Sequence, residues 1–343
     1  MALRPIDNAL PVAPERPKKH LQVVSVPIQK QSEVGVNDEN KAPLPPTNSP
    51  IDYISSDNLK PISDPESKIQ GLIERLDSKD WTNVCESLNN MRRFALYHSS
   101  VMLPFLEKVM SVVVKSMKNP RSALIKTSIM ASSDIFYAFG DQLLDSISDA
   151  FDNLLLSLAC VVGGQLLQLL LKASQDKKFV CEEADKALNA MVKSMTPLPL
   201  LNKLKPYVSH VNLRIRAKAA ICISNFVSKM VKLEKVASLE LTLPVFLSCL
   251  LIGTDLLVLG GDEFQGLEGM NEFGLVSLVQ VAADLLNDRL PEAREAARRI
   301  VISIYEAHTG NEEQKQEEWQ SFCQSSLPPI HVQSFVKITS SSN

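Results

Sequence analysis

The sequence predicts an all-α chain, a stack of helical hairpins behind an irregular N-terminal segment, and three observations carry that expectation. Aliphatic residues dominate the apolar fraction, apolar side chains recur at helical spacing over most of the length, and short polar turns punctuate the periodic stretches. Hydrophobic residues make up 45% of the 343 residues and aromatics only 6%, the palette of packed helices more than of a β-sandwich. That length and that fraction suffice for a substantial core.

Residues 1–65 hold 11 of the 20 prolines, with Ser, Asn and mixed charges between them. Proline blocks helix and ladder hydrogen bonds, and so little apolar surface cannot offset the entropy of ordering the chain. A disordered tail over 1–65 is expected, dispensable for folding and free to engage an adaptor. Within it, Ile51-Asp52-Tyr53-Ile54 reads as linker. Met1 to His20 contains no uninterrupted apolar run of the secretory kind, so the expected location is cytoplasmic.

From residue 66 the pattern changes. Val84, Leu88, Met91 and Ala95 mark one face of a 3.6-residue period, as do Val180, Ala184, Ala187, Met191 and Met195. The same stripe returns in Ile215, Ala219, Cys222, Phe226 and Met230, and in Ala293, Ala297, Ile300, Ile304 and Ala307. Turns at 78–81, 118–122, 174–178, 210–214 and 287–291 separate these stripes. Asp80, Ser122 and Asn212 are placed to cap the following helices through their side chains, and Pro291 to open one at its first position. Each turn is expected to join the two helices of one hairpin.

The turn markers Asp80, Pro120, Asp176, Asn212 and Asp288 lie 40, 56, 36 and 76 residues apart. Two of those spacings match the period of about 40 residues of HEAT and armadillo repeats, and two exceed it. The reading is therefore a right-handed α-solenoid of about five such hairpins over 66–309, with irregular insertions near 157–168 and 240–269. Residues 310–343 are expected to add one helix, ended by Leu327-Pro328-Pro329, and a Ser-rich tail. Leu241 to Leu259 is strongly apolar, but its uncharged run of 14 residues is short of the roughly 20 that cross a bilayer.

Chemistry of the catalytic kind is not written in this sequence. H-E-x-x-H, Walker A, G-x-S-x-G and G-x-G-x-x-G are missing, and the five histidines are scattered. The six cysteines stand singly, without zinc spacing, and read as small core residues. A non-enzymatic chain without cofactor or metal is expected. With 36 Lys and Arg against 39 Asp and Glu the net charge is −3, which argues against a nucleic-acid partner; a membrane is likewise not expected.

The turns themselves are the informative feature. Stacked hairpins project their intra-hairpin turns from one edge, and nearly every turn is basic: Lys79, Lys118 and Arg121, Lys177 and Lys178, Arg214 and Arg216, Arg289. Such an edge suits an acidic partner, although loops are also basic simply because they are solvated. Trp81, behind Asp80, either folds back on its helix or stands out as an aromatic anchor.

The string LDSKDWTNVCESLNNMRRF, Leu76 to Phe94, resembles the first repeat of TOG domains, the tubulin-binding HEAT arrays of CLASP and of TOG-array microtubule regulators. The resemblance spans about 66–309. It implies tubulin or microtubules as partner and a role in microtubule dynamics or organisation, with a cytoskeletal location. It also implies a tubulin-binding set of Trp81, Lys79, Arg121, Lys177, Lys178, Arg214, Arg216 and Arg289, with Ser122 beside Arg121. The alternative is a generic armadillo or HEAT scaffold that holds a peptide or adaptor in its groove.

Overall fold

A computed structural model describes residues 53–144, 152–242, 273–308 and 315–340, with side chains for 53–144, 162–232, 273–307 and 315–340. The helices are α1 (Pro65–Arg75), α2 (Trp81–Tyr97), α3 (Ser99–Met102), α4 (Leu106–Met117), α5 (Ser122–Phe139) and α6 (Asp152–Ala173). They continue as α7 (Lys178–Ser194), α8 (Pro197–Leu204), α9 (Leu213–Thr242), α10 (Leu275–Leu286), α11 (Pro291–His308), α12 (Lys315–Ser326) and α13 (Pro329–Ser340). No strand occurs among the described residues. The five expected turns each join two helices: α1 to α2, α4 to α5, α6 to α7, α8 to α9 and α10 to α11.

The apolar stripes explain the stack. Val84, Leu88, Met91 and Ala95 are buried on α2; Val180, Ala184, Ala187 and Met191 on α7; Ile215, Ala219, Cys222, Phe226 and Met230 on α9. On α11, Ala293, Ala297, Ile300 and Ile304 are fully buried. These faces pack the second helices side by side, α2 on α5, α5 on α7 and α9 on α11, while the first helices α4 and α6 pack beside them. Several polar groups bridge α7 and α9. Lys218 Nζ donates to both carboxylate oxygens of Asp185 at 2.7 Å, Asn225 Nδ2 to Asn189 Oδ1 at 3.4 Å, and Lys229 Nζ to the carbonyls of Lys193 and Met195 at 3.0 and 2.9 Å.

Helix starts follow the sequence in part. Asp80 caps α2 by accepting from the Thr82 amide at 3.0 Å, Asn212 caps α9 by accepting from the Arg214 amide at 2.9 Å, and Pro291 opens α11. Ser122 departs from expectation. It is the first residue of α5, one position past the cap, which falls on Arg121 and carries no side-chain cap; Asn119 Oδ1 accepts from the Arg121 amide at 2.9 Å.

Three boundaries also differ. The disordered tail expected over 1–65 does not hold for its last part, because residues 53–59 lie against α2 and α5. Arg92, fully buried, donates through Nη1 to the Ile54 carbonyl at 2.8 Å and through Nε to Asp134 Oδ2 at 2.6 Å. Ser56 Oγ donates to Asp134 Oδ1 at 2.6 Å, Tyr97 Oη to the Leu59 carbonyl at 2.7 Å, and Leu59 is buried. A strap of low periodicity is therefore held by hydrogen bonds and one leucine, which a search for helical stripes does not register. Residues 1–52 lie outside the described residues.

The irregular insertion expected near 157–168 is instead part of α6, an unbroken helix of 22 residues. Gly163 and Gly164 sit in its interior without crowding, and Val162, Leu166, Leu169 and Leu170 bury its face. The second expected insertion, apart from its first residues in α9, lies outside the described residues, as does most of the apolar run 241–259. No described helix is long and apolar enough to cross a membrane. At the C-terminal end, the expected helix does end before Leu327-Pro328-Pro329, but the residues after it are not a tail. Pro329 opens α13, and α12 with α13 forms a further hairpin whose Trp319, Cys323 and Phe335 are fully buried. Trp319 packs edge-on to Tyr305 of α11 and stacks near Phe335.

Candidate partner-binding edge

The turn residues predicted from sequence come together as a row of contacts from one hairpin to the next. In the first turn, the two hydrogen bonds from Thr82, backbone first and hydroxyl second, hold the Asp80 carboxyl below the usual carboxylate range, with the Arg121 charge adding to the effect. Trp81 follows at the first position of α2. It is half-buried against the core, and the Arg121 guanidinium lies over its ring at 5.5 Å. Trp81 thus does both things the sequence allowed, resting partly on its own helix and leaving part of its ring at the surface.

The row continues. Lys177 Nζ of the third turn donates to Ser122 Oγ of the second at 3.0 Å. Arg214 of the fourth turn pairs with Asp176 of the third and also reaches the Ser174 carbonyl. Arg216 Nε of the fourth donates to Asp288 Oδ2 of the fifth at 2.8 Å. Each adjacent pair of turns is joined by at least one side chain, which is what stacking of the hairpins requires.

Within the row the basic residues divide by exposure. Lys79, Arg121, Lys177, Lys178, Arg214 and Arg289 are exposed, as is Lys118. Lys178 has a side chain 89% exposed and meets Glu182 at 3.8 Å. Arg216 differs, because its side chain is 22% exposed and that of its partner Asp288 4%. Its charge is directed into the turn. It acts there with Asp288 Oδ1, which accepts from the Leu290 amide at 2.8 Å, and with Arg294, which donates to the Asp288 carbonyl at 2.7 Å. Asp288 was missed as a site residue. The sequence marked its turn, but its partner lies 72 residues away.

No cluster of three metal-ligating side chains occurs among the described residues. The edge offers cations, a partly covered indole and polar turns. That is the equipment of an electrostatic contact with an apolar anchor.

No family model matches the chain. Among curated proteins it is similar to TOG array regulator of axonemal microtubules protein 1. Identity is 27% over 216 residues to the mouse protein, covering 62% of this chain and 11% of that protein. To the human protein it is 26% over 179 residues, covering 52% and 10%. The chain therefore matches about a tenth of the length of these relatives. Among solved structures it is similar to the MAST/Orbit N-terminal domain, with a TM-score of 0.48 and 13% identity over 79% of this chain and 96% of that one. The TOG domain of C. elegans Zyg9 matches with a TM-score of 0.46 and 13% identity over 80% and 91%.

Proposed function

We propose that this chain is a non-enzymatic tubulin- or microtubule-binding module, which acts on microtubule dynamics or organisation through the edge formed by its intra-hairpin turns. The observation that carries the reading is the row itself: exposed Lys79, Arg121, Lys177, Lys178, Arg214 and Arg289 on turns that touch one another, beside a half-exposed Trp81. Similarity to curated TOG array regulators supports it. In this mechanism the Trp81 ring is the apolar anchor, kept in place by Asp80 at the helix start and by the guanidinium of Arg121. The exposed cations engage acidic surface on the partner, and Arg216 keeps the fourth and fifth turns in register without touching it. A cytoskeletal location, and an adaptor held by residues 1–52, belong to the same proposal.

The test is affinity for purified tubulin, read beside thermal stability on the same variants. Trp81→Ala is expected to weaken binding by at least ~2 kcal/mol, the range of an aromatic hot spot. Charge reversal at Lys177 and Lys178, or at Arg289, should weaken it more at low salt than at high, since exposed charges are screened. Unchanged affinity in all three variants would leave a generic helical-repeat scaffold with another partner.

A further inference from the structure

A groove of 560 Å³ opens between α2, α1 and residues 61–63. Arg93 lies 12 residues along α2 from Trp81, about 18 Å at the rise of an α-helix, while Arg75 ends α1 just before the first turn; Trp81 and the basic turn residues are not part of the lining. Its polar lining consists of Ser63, Ser67, Lys68, Arg75, Asn90 and Arg93, and no carboxylate belongs to it. Three cations thus converge on one recess of a chain whose net charge is −3.

Neighbouring acids do little to neutralise them. Lys68 Nζ donates to the Ser63 carbonyl at 2.6 Å and to its hydroxyl at 2.9 Å, both neutral acceptors. Arg93 Nη1 donates to the amide oxygen of Asn90 at 3.3 Å. Among the described residues Arg75 alone of the three meets a carboxylate, Glu86 at 3.3 Å, on a pair about half exposed on both sides. Asp64, just outside the lining, is engaged by the Ser67 hydroxyl at 2.6 Å. Arg93 Nε–H is itself buried and finds no acceptor among the described residues, so a ligand in the groove would meet the terminal nitrogens of this side chain. A guanidinium is satisfied best by an oxyanion that takes two of its N–H groups at once.

We propose that this groove is a phosphate-binding site, with Arg93 as the bidentate ligand and Lys68 and Arg75 completing the charge. The chemistry fits a dianion of tetrahedral oxygens better than a single carboxylate, because three donors of different geometry face one recess. The volume accommodates the phosphate and the group that bears it. That group is either a phosphorylated side chain or nothing, and the two sources differ in what the titration reads.

The experiment is calorimetric titration of the full chain at fixed ionic strength with inorganic phosphate and with a short phosphoserine peptide. The expected result is saturable binding, in the millimolar range or tighter. It should be weakened about fivefold or more by Lys68→Gln and by Arg75→Gln, exposed positions where the fold is not at risk. Arg93→Lys, which keeps the charge and loses the planar fork, should weaken it as well. Tighter binding of the phosphopeptide than of inorganic phosphate assigns the site to a phosphorylated chain, and equal affinity to free phosphate. Failure to saturate, or identical affinities in the parent and all three variants, would overturn the proposal. Trp81→Ala should bind phosphate normally, so this site and the turn edge fail independently.

Discussion

At the scale of single residues, burial separates the thiols and the charged pairs into clear classes. Burial pushes the thiols of Cys85, Cys222 and Cys323 up to about 11, 12 and 12, whereas Cys181 is only half-buried. Native alkylation at pH 8 is therefore expected to label Cys181 at least about tenfold faster than the other three, by peptide-level mass spectrometry. Labelling of Cys222 at the rate of Cys181 would show that α9 opens. The sign of the linkage is alkaline. A thiol raised in the folded state stabilises fully below the ordinary thiol pKa, and that contribution is lost as the pH climbs through the folded value. The Arg92–Asp134 pair is a second such class, with side chains 0% and 1% exposed. Asp134→Ala leaves a buried, uncompensated guanidinium and should cost about 3–5 kcal/mol in urea unfolding. A loss under 1 kcal/mol would mean that water reaches Arg92, by the same reasoning. The sequence displayed Arg92 and Asp134 only as ordinary helix residues, because a pairing across 42 positions leaves no local periodicity.

Among the elements, those with a repeating apolar face were legible and those held by single contacts were not. The stripes through Leu88, Ala187, Phe226 and Ile300 located α2, α7, α9 and α11, since burial at every third or fourth position is a property of the element itself. Helix α13 was hidden because Pro329 can end a helix or begin one, and only the burial of Phe335 against Trp319 decides which. The exit from α5 was equally silent. Gly140 takes φ +48°, and a Cβ there would stand 2.8 Å from the Ser194 carbonyl oxygen of α7. Asp141, next in the chain, accepts from both the amide and the hydroxyl of Thr196. Gly140→Ala should thus destabilise by about 2 kcal/mol or more, from backbone strain and a clash with main-chain atoms that cannot swing aside. Circular dichroism melts of this variant beside Gly71→Ala, where a Cβ meets nothing within 4 Å, would isolate the effect. Equal melting points would place the turn elsewhere.

Over the whole molecule, the candidate edge was visible in the sequence as a list of basic turns, but its internal economy was not. Arg216 and Arg214 are two residues apart, yet one is directed at buried Asp288 and the other at exposed Asp176, a distinction that only packing creates. The N-terminal boundary was misplaced for the same kind of reason. A chain lacking residues 1–60 should melt several degrees below one lacking 1–52, because it loses the Ile54 and Leu59 carbonyl contacts and the Ser56 bond to Asp134. Coincident melts would show that the strap contributes nothing. The polar seam between α7 and α9 has a consequence of another sort. Apolar faces that interlock resist sliding, whereas ammonium and amide groups can exchange one oxygen for another, or for water, at little cost. At the join of α7 and α9, Lys218 and Asp185 form a part-exposed ion pair, whereas Arg92 and Asp134 join α2 to α5 with both side chains buried. Added salt is therefore expected to weaken the first pair and leave the second unchanged, since screening reaches only charges that water reaches.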